Sequence, residues 1–293
     1  MKKRLLITGA NGQLGMDLVH LVDHSLYEVL ACTKAELDIT NDEEVNETFK
    51  SFNPDWVLHA AAYTNVEAAE GKEKELNWLV NAKGTENVAK AANKVDAKMI
   101  YISTDYVFDG TKETEYETDD IVNPLNEYGK AKQAGEKFVQ NILGDKGYII
   151  RTSWVFGING NNFVYTMLSL AKEKKQLNII ADQFGRPTFS LDLAKFILFL
   201  TEKEGNDGGI YHFSNKGSCS WYEFSKEILK NNQVVINPVS TDSFNQKAMR
   251  PKNSILQLSK SEDLGFSIPT WTESLNEFKI LLLNDYINNY KKG

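Results

Sequence analysis

The sequence predicts an α/β protein organised around a doubly wound parallel sheet, with a smaller C-terminal domain. Three observations carry this. Short aliphatic or β-branched runs alternate with longer helical patterns through the first half of the chain. Those runs are apolar throughout, as strands covered on both faces must be, where a half-exposed strand would alternate. After Thr152 the alternation loosens, which separates a regular domain (1–152) from a mixed region (153–293).

Leu5 to Thr8 is the first strand and Leu14 to His24 the first helix. Tyr27 to Cys32 and Asp42 to Phe52 follow as strand and helix, and Trp56 to His59 is a third strand. Val66 to Asn93 has one helical pattern, with a break expected at Gly71. Lys98 to Ser103, Asn126 to Asn141 and Tyr148 to Thr152 complete the domain as strand, helix and strand. Beyond it, strands are expected at Leu177 to Ile180 and Ile210 to Ser214, and the segments 177–182 and 210–215 are expected to return to the first domain. Helices are expected at Asp192 to Thr201, Ser220 to Asn231 and Thr272 to Tyr290. Asn237 to Gly265 is polar and interrupted by Pro238 and Pro251. No repeat or low-complexity linker separates the two parts, so a ligand cleft is expected where the chain crosses between them.

Bulk composition narrows the function. The chain has 293 residues, of which 42% are hydrophobic and 25% charged, as in an ordinary globular protein. The richest apolar run, Phe196 to Leu200, is far too short to cross a bilayer. The basic start, Met1 to Thr8, runs into glycines in place of a cleavage site, so it reads as a buried strand and not as a signal peptide. A cytoplasmic protein with no membrane partner is expected. Cys32 and Cys219 are far apart and lack metal-type neighbours, so they are expected to be reduced thiols, and no metal site is predicted. A net charge of −7 argues against a nucleic-acid partner.

Gly9-Ala10-Asn11-Gly12-Gln13-Leu14-Gly15 joins the first strand to the first helix. Glycines at this spacing allow a tight turn and a close approach of backbone to a diphosphate, and the helix N-terminus favours its charge. In that context the loop points to a dinucleotide. The second strand ends in Cys32-Thr33-Lys34, with no carboxylate before Glu36 to pair a ribose 2′-hydroxyl. Lys34 either faces a 2′-phosphate or is a solvated surface lysine; the first alternative tilts the expected cofactor toward NADPH over NADH.

Tyr128 and Lys132 are four residues apart, hence on one face of a helix. A tyrosine is a weak acid–base group near neutrality, and a neighbouring ammonium favours its phenolate. Ser103 and Thr104 end the fourth strand, where ligands bind in open α/β sheets. Alone they are a strand-to-turn pair; with Tyr128, Lys132 and the glycines they form a candidate site for ketone reduction.

These residues carry a resemblance. Thr8 to Gly15, Leu37 to Thr40, Ala60 to Thr64, Ser103 to Gly110, Pro124 to Asn126, Tyr128 to Lys130, Ala134 to Glu136, Arg151 to Trp154, Asn161 to Phe163 and Asp182-Gln183 through Pro187-Thr188 stand in one order. The pattern resembles the extended short-chain dehydrogenases of the Rossmann class and, within them, the dTDP-4-dehydrorhamnose reductases. It covers most of the first 190 residues and matches the last hundred only loosely.

The resemblance implies reduction of the C4 ketone of dTDP-4-dehydro-L-rhamnose by NADPH or NADH, the last step of dTDP-rhamnose synthesis, with the C-terminal domain binding the sugar nucleotide. Tyr128 would protonate the oxygen, Lys132 would tune it and hold the nicotinamide ribose, and Thr104 would orient the carbonyl. Gly9, Asn11, Gly12, Gln13, Leu14, Gly15, Lys34, Asp38, Ile39, Ala60, Ala61, Ala62 and Ser103 would line the cofactor. Asp105, Trp154, Asn162 and Arg186 would contact the substrate, with a core role for Trp154 and a structural one for Arg186 as alternatives.

Related 4,6-dehydratases carry Thr-Asp-Glu where this chain has Thr104-Asp105-Tyr106, so an acid for elimination is missing and simple reduction is favoured. Some relatives join two subunits through magnesium. Asp17 and the stretch Ser190-Leu191-Asp192 match that pattern imperfectly, so magnesium is conceivable only at an oligomer interface and is not predicted; a homodimer stays open. His59 stands where asparagine is usual. Competing functions are a reductase of another nucleotide-linked keto-sugar, or an NADP-binding regulatory subunit without turnover.

Overall fold

The strands are β1 (Lys3–Thr8), β2 (Tyr27–Cys32), β3 (Trp56–His59), β4 (Lys98–Thr104), β5 (Gly147–Thr152), β6 (Val155–Phe156), β7 (Gln176–Ile180), β8 (Phe184–Gly185), β9 (Thr188–Phe189), β10 (Gly209–His212), β11 (Cys219–Ser220) and β12 (Val235–Val239). The helices are α1 (Gln13–Leu21), α2 (Asp42–Phe52), α3 (Val66–Ala69), α4 (Lys74–Trp78), α5 (Thr85–Lys94), α6 (Glu127–Leu143), α7 (Phe163–Glu173), α8 (Ser190–Glu202), α9 (Trp221–Ile228), α10 (Ser259–Asp263) and α11 (Trp271–Tyr290). The computed structural model describes residues 2–203, 205, 207–244 and 246–290, and of 285–290 the backbone only.

Six strands form one parallel sheet in the order β10-β5-β4-β3-β1-β2. Alternate side chains leave a strand on opposite faces, and both faces here are covered. Leu5, Ile7, Leu58 and Ile150 pack with Leu18 of α1 and Leu193, Phe196 and Ile197 of α8. Leu6, Val57, Met99 and Ile149 pack with Val45 and Phe49 of α2, Val88 of α5 and Val139 of α6. Each such side chain, fully buried, stabilises the fold by about 1.5–3 kcal/mol. The chain leaves β1 in one direction to form β2 and in the other to form β3, so the order reverses between β1 and β3. A ligand crevice belongs at the carboxyl ends of those two strands.

A third core joins Phe156, Phe189, Leu177, Phe224, Leu275 and Phe278. Here the structure departs from the sequence-based expectations. The segment expected to return at 177–182 forms β7, which pairs in parallel with β12 and not with the main sheet. Its burial explains this: Gln176 and Asn178 are exposed while Leu177 and Ile179 are buried, the alternation of a strand with one wet face. Pro238 sits inside β12, which a two-stranded edge tolerates and a central strand does not. The segment expected at 210–215 supplies β10, at the edge of the main sheet beside β5. Helix α7 was not expected at all.

The single helix expected over Val66 to Asn93 is divided into α3, α4, a π-helical turn at Leu79–Gly84, and α5. Two buried asparagines account for the irregularity. Asn81 donates to the Tyr63 carbonyl (2.9 Å) and to Asn77 Oδ1 (2.8 Å), and accepts from the Tyr63 N–H (3.1 Å). The helix is thereby tied to the loop that follows β3.

Candidate active site

The loops after β1 and β3 abut. A Cβ placed on Gly15 would fall 2.1 Å from the Gly9 carbonyl oxygen, so no other residue lets α1 start this close to the strand end. No side chain caps the first turn of α1, which leaves its N–H groups for an anionic ligand. Beside the turn lies a cavity of about 300 Å³ lined by Gly9, Asn11, Gly12, Lys34, Asp38, Ile39 and Ala60 to Ala62. Gly12, Ala60 and Ala62 also belong to a second cavity of about 600 Å³, which contains Gln13, Leu14, Gly15, Ser103, Thr104, Asp105, Tyr128, Lys132 and Trp154. Uncapped amides at a glycine turn, opening onto two joined cavities, fit the diphosphate, adenosine and nicotinamide parts of a dinucleotide.

Helix α6 presents the chemistry. Asn126 caps it, accepting from the Gly129 N–H at 2.8 Å. A Cβ on Gly129 would lie 2.2 Å from the Tyr106 carbonyl oxygen, so glycine alone allows the first turn of α6 to dock on the turn after β4. That contact brings Tyr128 to Thr104. Lys132 and Glu136 follow Tyr128 at four-residue steps, on the face turned to the sheet, and both are buried.

Burial raises the Tyr128 phenol first, the Asp105 carboxylate adds to the rise, and the Thr104 hydroxyl opposes it. The sequence assigned Lys132 the task of lowering this group. The net direction is upward, because removal from water dominates. Lys132 is itself pushed down to about 7 by burial, against the pull of Glu136. Its Nζ lies 4.2 Å from the centre of the Tyr101 ring.

Behind Lys132 is a buried network that the sequence did not assign. Arg151 of β5 grips Glu136 through two bonds, Nε to Oε1 at 2.9 Å and Nη2 to Oε2 at 2.8 Å. Ser103 donates to the same carboxylate, and Arg151 also donates to the Thr118 carbonyl at 3.2 Å. The available signal was an arginine inside the otherwise apolar strand Tyr148-Ile149-Ile150-Arg151, since a buried cation needs a partner. His59, in place of the usual asparagine, pairs its ring nitrogens with Thr8 Oγ1 (2.7 Å) and Thr85 Oγ1 (3.2 Å). Burial pushes it down to about 3, so it is a neutral spacer under the cofactor loops.

At Thr64, Tyr106, Trp154, Val155 and Trp221 the second cavity meets a third, of about 920 Å³, which extends to Lys174, Gln183 and Arg250. Trp154 holds a left-handed φ of 48°, a conformation that costs a tryptophan about 1–2 kcal/mol and persists where surrounding structure imposes it. Its ring stacks on Trp221 at a centroid distance of 3.6 Å. Trp221 and Arg250 are further wall residues that the sequence did not single out, and Tyr106, noted there only as standing in place of a dehydratase glutamate, is a third. Arg250 pairs with Glu67 at 2.6 Å.

Two expected substrate contacts stand elsewhere. Asn162 caps α7 and donates to Gln13 Oε1 (2.9 Å) and to the Gly157 carbonyl (2.8 Å), so it ties the cap to the glycine loop. Arg186 pairs with Glu115 and lines a separate depression with Lys216 and Gln257. Asp17 accepts from Ser190 and Asn159, and Asp192 from Asn215, Ser274 and Lys195. Among the described residues no three His, Cys, Asp or Glu side chains gather as a metal site, and no helix is long and apolar enough to cross a membrane.

Comparison with known proteins places this geometry. Residues 2–282 match the family described as the RmlD substrate binding domain. A dTDP-4-dehydrorhamnose reductase from Aggregatibacter actinomycetemcomitans is 42% identical over 94% of this chain and 98% of its own length. The Bacillus subtilis spore coat polysaccharide biosynthesis protein SpsK is 39% identical, over 94% of this chain and 96% of its own. A crystal structure of dTDP-4-dehydrorhamnose reductase from Bacillus anthracis in complex with NADP superposes with a TM-score of 0.91 at 44% identity, covering 96% of this chain and 99% of that one. The chain belongs to the RmlD substrate-binding domain family.

Proposed function

We propose that this protein reduces the C4 ketone of dTDP-4-dehydro-L-rhamnose to dTDP-L-rhamnose, using NADPH or NADH, as the last step of dTDP-rhamnose biosynthesis in the cytoplasm. The observation that carries the reading is the meeting of Tyr128, Thr104 and the glycine turn in one cavity that opens, past Trp154 and Trp221, onto a larger one. Residues 1–152 would hold the cofactor, and 153–293 would supply most of the sugar-nucleotide wall.

When bound, the reduced nicotinamide supplies a hydride. The first turn of α1 would hold the diphosphate, Lys34 would face a 2′-phosphate, Asp38 and Ile39 would lie near the adenine, and Lys132 would hold the nicotinamide ribose. Tyr128 delivers its phenolic proton to the C4 oxygen as negative charge develops there. The upward shift of that phenol keeps it protonated, the state a donor must occupy before the ketone arrives. Ser103 and Thr104 flank the site, and Thr104 orients the carbonyl. Trp154 and Trp221 form the wall for the sugar, and the cations Lys174 and Arg250 suit its diphosphate. Asn162 and Arg186 act through the fold and not through the substrate.

The test is loss of nicotinamide absorbance with purified protein, NADPH or NADH, and dTDP-4-dehydro-L-rhamnose generated in situ. Cofactor oxidation with dTDP-rhamnose as product supports the reading. Cofactor binding without oxidation would redirect it to a different keto-sugar or to a regulatory role.

A further inference from the structure

Asp105 is 2% exposed, and its Oδ2 has no hydrogen-bond partner. Its other oxygen, Oδ1, accepts from the Thr104 hydroxyl at 3.0 Å, and the Thr104 oxygen in turn accepts from the Tyr106 N–H at 3.2 Å. A threonine hydroxyl has one proton to give and two lone pairs to fill. An ionised Asp105 could only accept, so the Thr104 proton would be spent on it and none would remain for a ketone oxygen. A neutral Asp105 with its proton on Oδ1 reverses that bond, and the Thr104 proton is then released toward the Tyr128 phenol beside it or a ketone oxygen. Oδ2 forms no hydrogen bond although the Ser254 hydroxyl lies near enough to act on this carboxyl, which fits the second state: a carbonyl oxygen without a partner is a smaller loss than an unpaired buried charge.

Building on the reductase reading, we infer that Asp105 is a positioning residue that works as a carboxylic acid, turning Thr104 into a second hydrogen-bond donor for the substrate ketone beside Tyr128. Ionisation of Asp105 reverses the bond and withdraws that donor. The ionisable groups around it are Tyr106 on its own turn, Tyr128 and Lys132 on α6, and behind Tyr106 the ion pair of Arg250 with Glu67 of α3. Burial raises the Asp105 carboxyl to about 7, with the Ser254 and Thr104 hydroxyls and the neighbouring amides opposing the rise. Asp105 is therefore neutral on the acid side of that value and loses its proton above it.

Asp105→Asn tests this, because an amide N–H₂ donates to Thr104 at every pH. In the wild type kcat should fall above neutrality by about tenfold per pH unit, as loss of one essential proton requires. The variant should be slower on the acid side, by up to about tenfold for one imperfect hydrogen bond. It should lack that alkaline fall, so that the two profiles cross and the variant is the faster enzyme at high pH. An unchanged alkaline limb in the variant would assign the fall to Lys132 and overturn the inference. A second measurement needs neither the variant nor turnover: carbon-13 titration of aspartate-labelled wild-type protein with NADPH bound. One carboxyl titrating near neutrality is expected, and all aspartates titrating in the ordinary range would overturn the idea. Absence of any keto-sugar reduction would refute the reductase reading while leaving this titration interpretable.

Discussion

The two walls of the cavity are made in different ways. The wall proposed for the cofactor consists of contiguous runs at the carboxyl ends of parallel strands: Gly9 to Gly15 after β1, Ala60 to Ala62 after β3, and Ser103 to Asp105 at the end of β4. Backbone ladders set their relative positions, with Thr8 opposite His59, Ser103 opposite Arg151 and Thr104 opposite Thr152. The wall proposed for the sugar has only two-residue ladders, β6 with β9 after Trp154 and β11 with β8 before Trp221. Trp154 follows β5, Trp221 opens α9 and Arg250 lies in coil; a ring stack and an ion pair with Glu67 hold them. A wall fixed by ladders and buried charge should tolerate little change, whereas one built by side-chain contacts can be altered at modest cost. Substrate choice then has room to vary on the sugar side while the chemistry stays on the other.

The largest effect should come from the floor of the cofactor wall. Tyr128→Phe keeps the ring and removes the proton, so kcat should fall by about 10²–10⁴-fold. NADPH affinity, measured by fluorescence titration, should not change. Turnover close to wild type would end the assignment of Tyr128 as donor.

Next is the support behind the floor. Glu136→Gln leaves the Arg151 cation buried without a counter-charge, and removing one partner of such a pair costs about 3–5 kcal/mol. Urea denaturation should show the loss as a lower midpoint. The double variant Glu136→Met with Arg151→Met should recover much of it, because paired apolar replacements leave no stranded charge. Equal destabilisation in the single and double variants would mean that packing, and not charge, makes this wall brittle.

The same contrast governs what the sequence made legible. Strands β1 to β5 were readable because a continuous apolar run has one outcome between two layers of helices. The glycine loop and the Tyr128–Lys132 spacing were readable because both are local. The upward shift of Tyr128 was not readable, since burial depth is a property of the assembled fold. Asn162 and Arg186 sit in recognisable stretches, yet their partners Gln13 and Glu115 are 149 and 71 residues away. Trp221 and Arg250 gave no local signal, because only tertiary packing brings them to the wall. The Val66 to Asn93 region was read as nearly regular, since nothing local reveals that Asn81 turns inward to bind the Tyr63 backbone and Asn77 to bind the Glu127 carbonyl.

On the sugar wall, Trp221→Leu keeps apolar bulk against Phe163 but removes the stack on Trp154. Aromatic pairs contribute about 0.5–1.5 kcal/mol beyond burial, so KM for the sugar nucleotide should rise by a few-fold to about tenfold, with kcat nearly unchanged. A fall in kcat matching that of Tyr128→Phe would show that the two walls are not separable.

The smallest effect belongs to the rim of the cofactor wall. Lys34 is exposed at the cavity that also holds Asp38 and Ile39, and a solvated charge pair contributes only about 0–1 kcal/mol. Lys34→Ala should therefore weaken NADPH by about two- to fivefold and leave NADH unaffected, with the difference shrinking as salt is added. The comparison of cofactors matters more than either affinity. If both weaken together, Lys34 acts on the turn it shares with Asp38, whose carboxylate the Thr40 amide holds low and the Lys34 charge lowers slightly further. If neither changes, Lys34 is a solvated surface lysine, and the reason to expect NADPH over NADH falls with it.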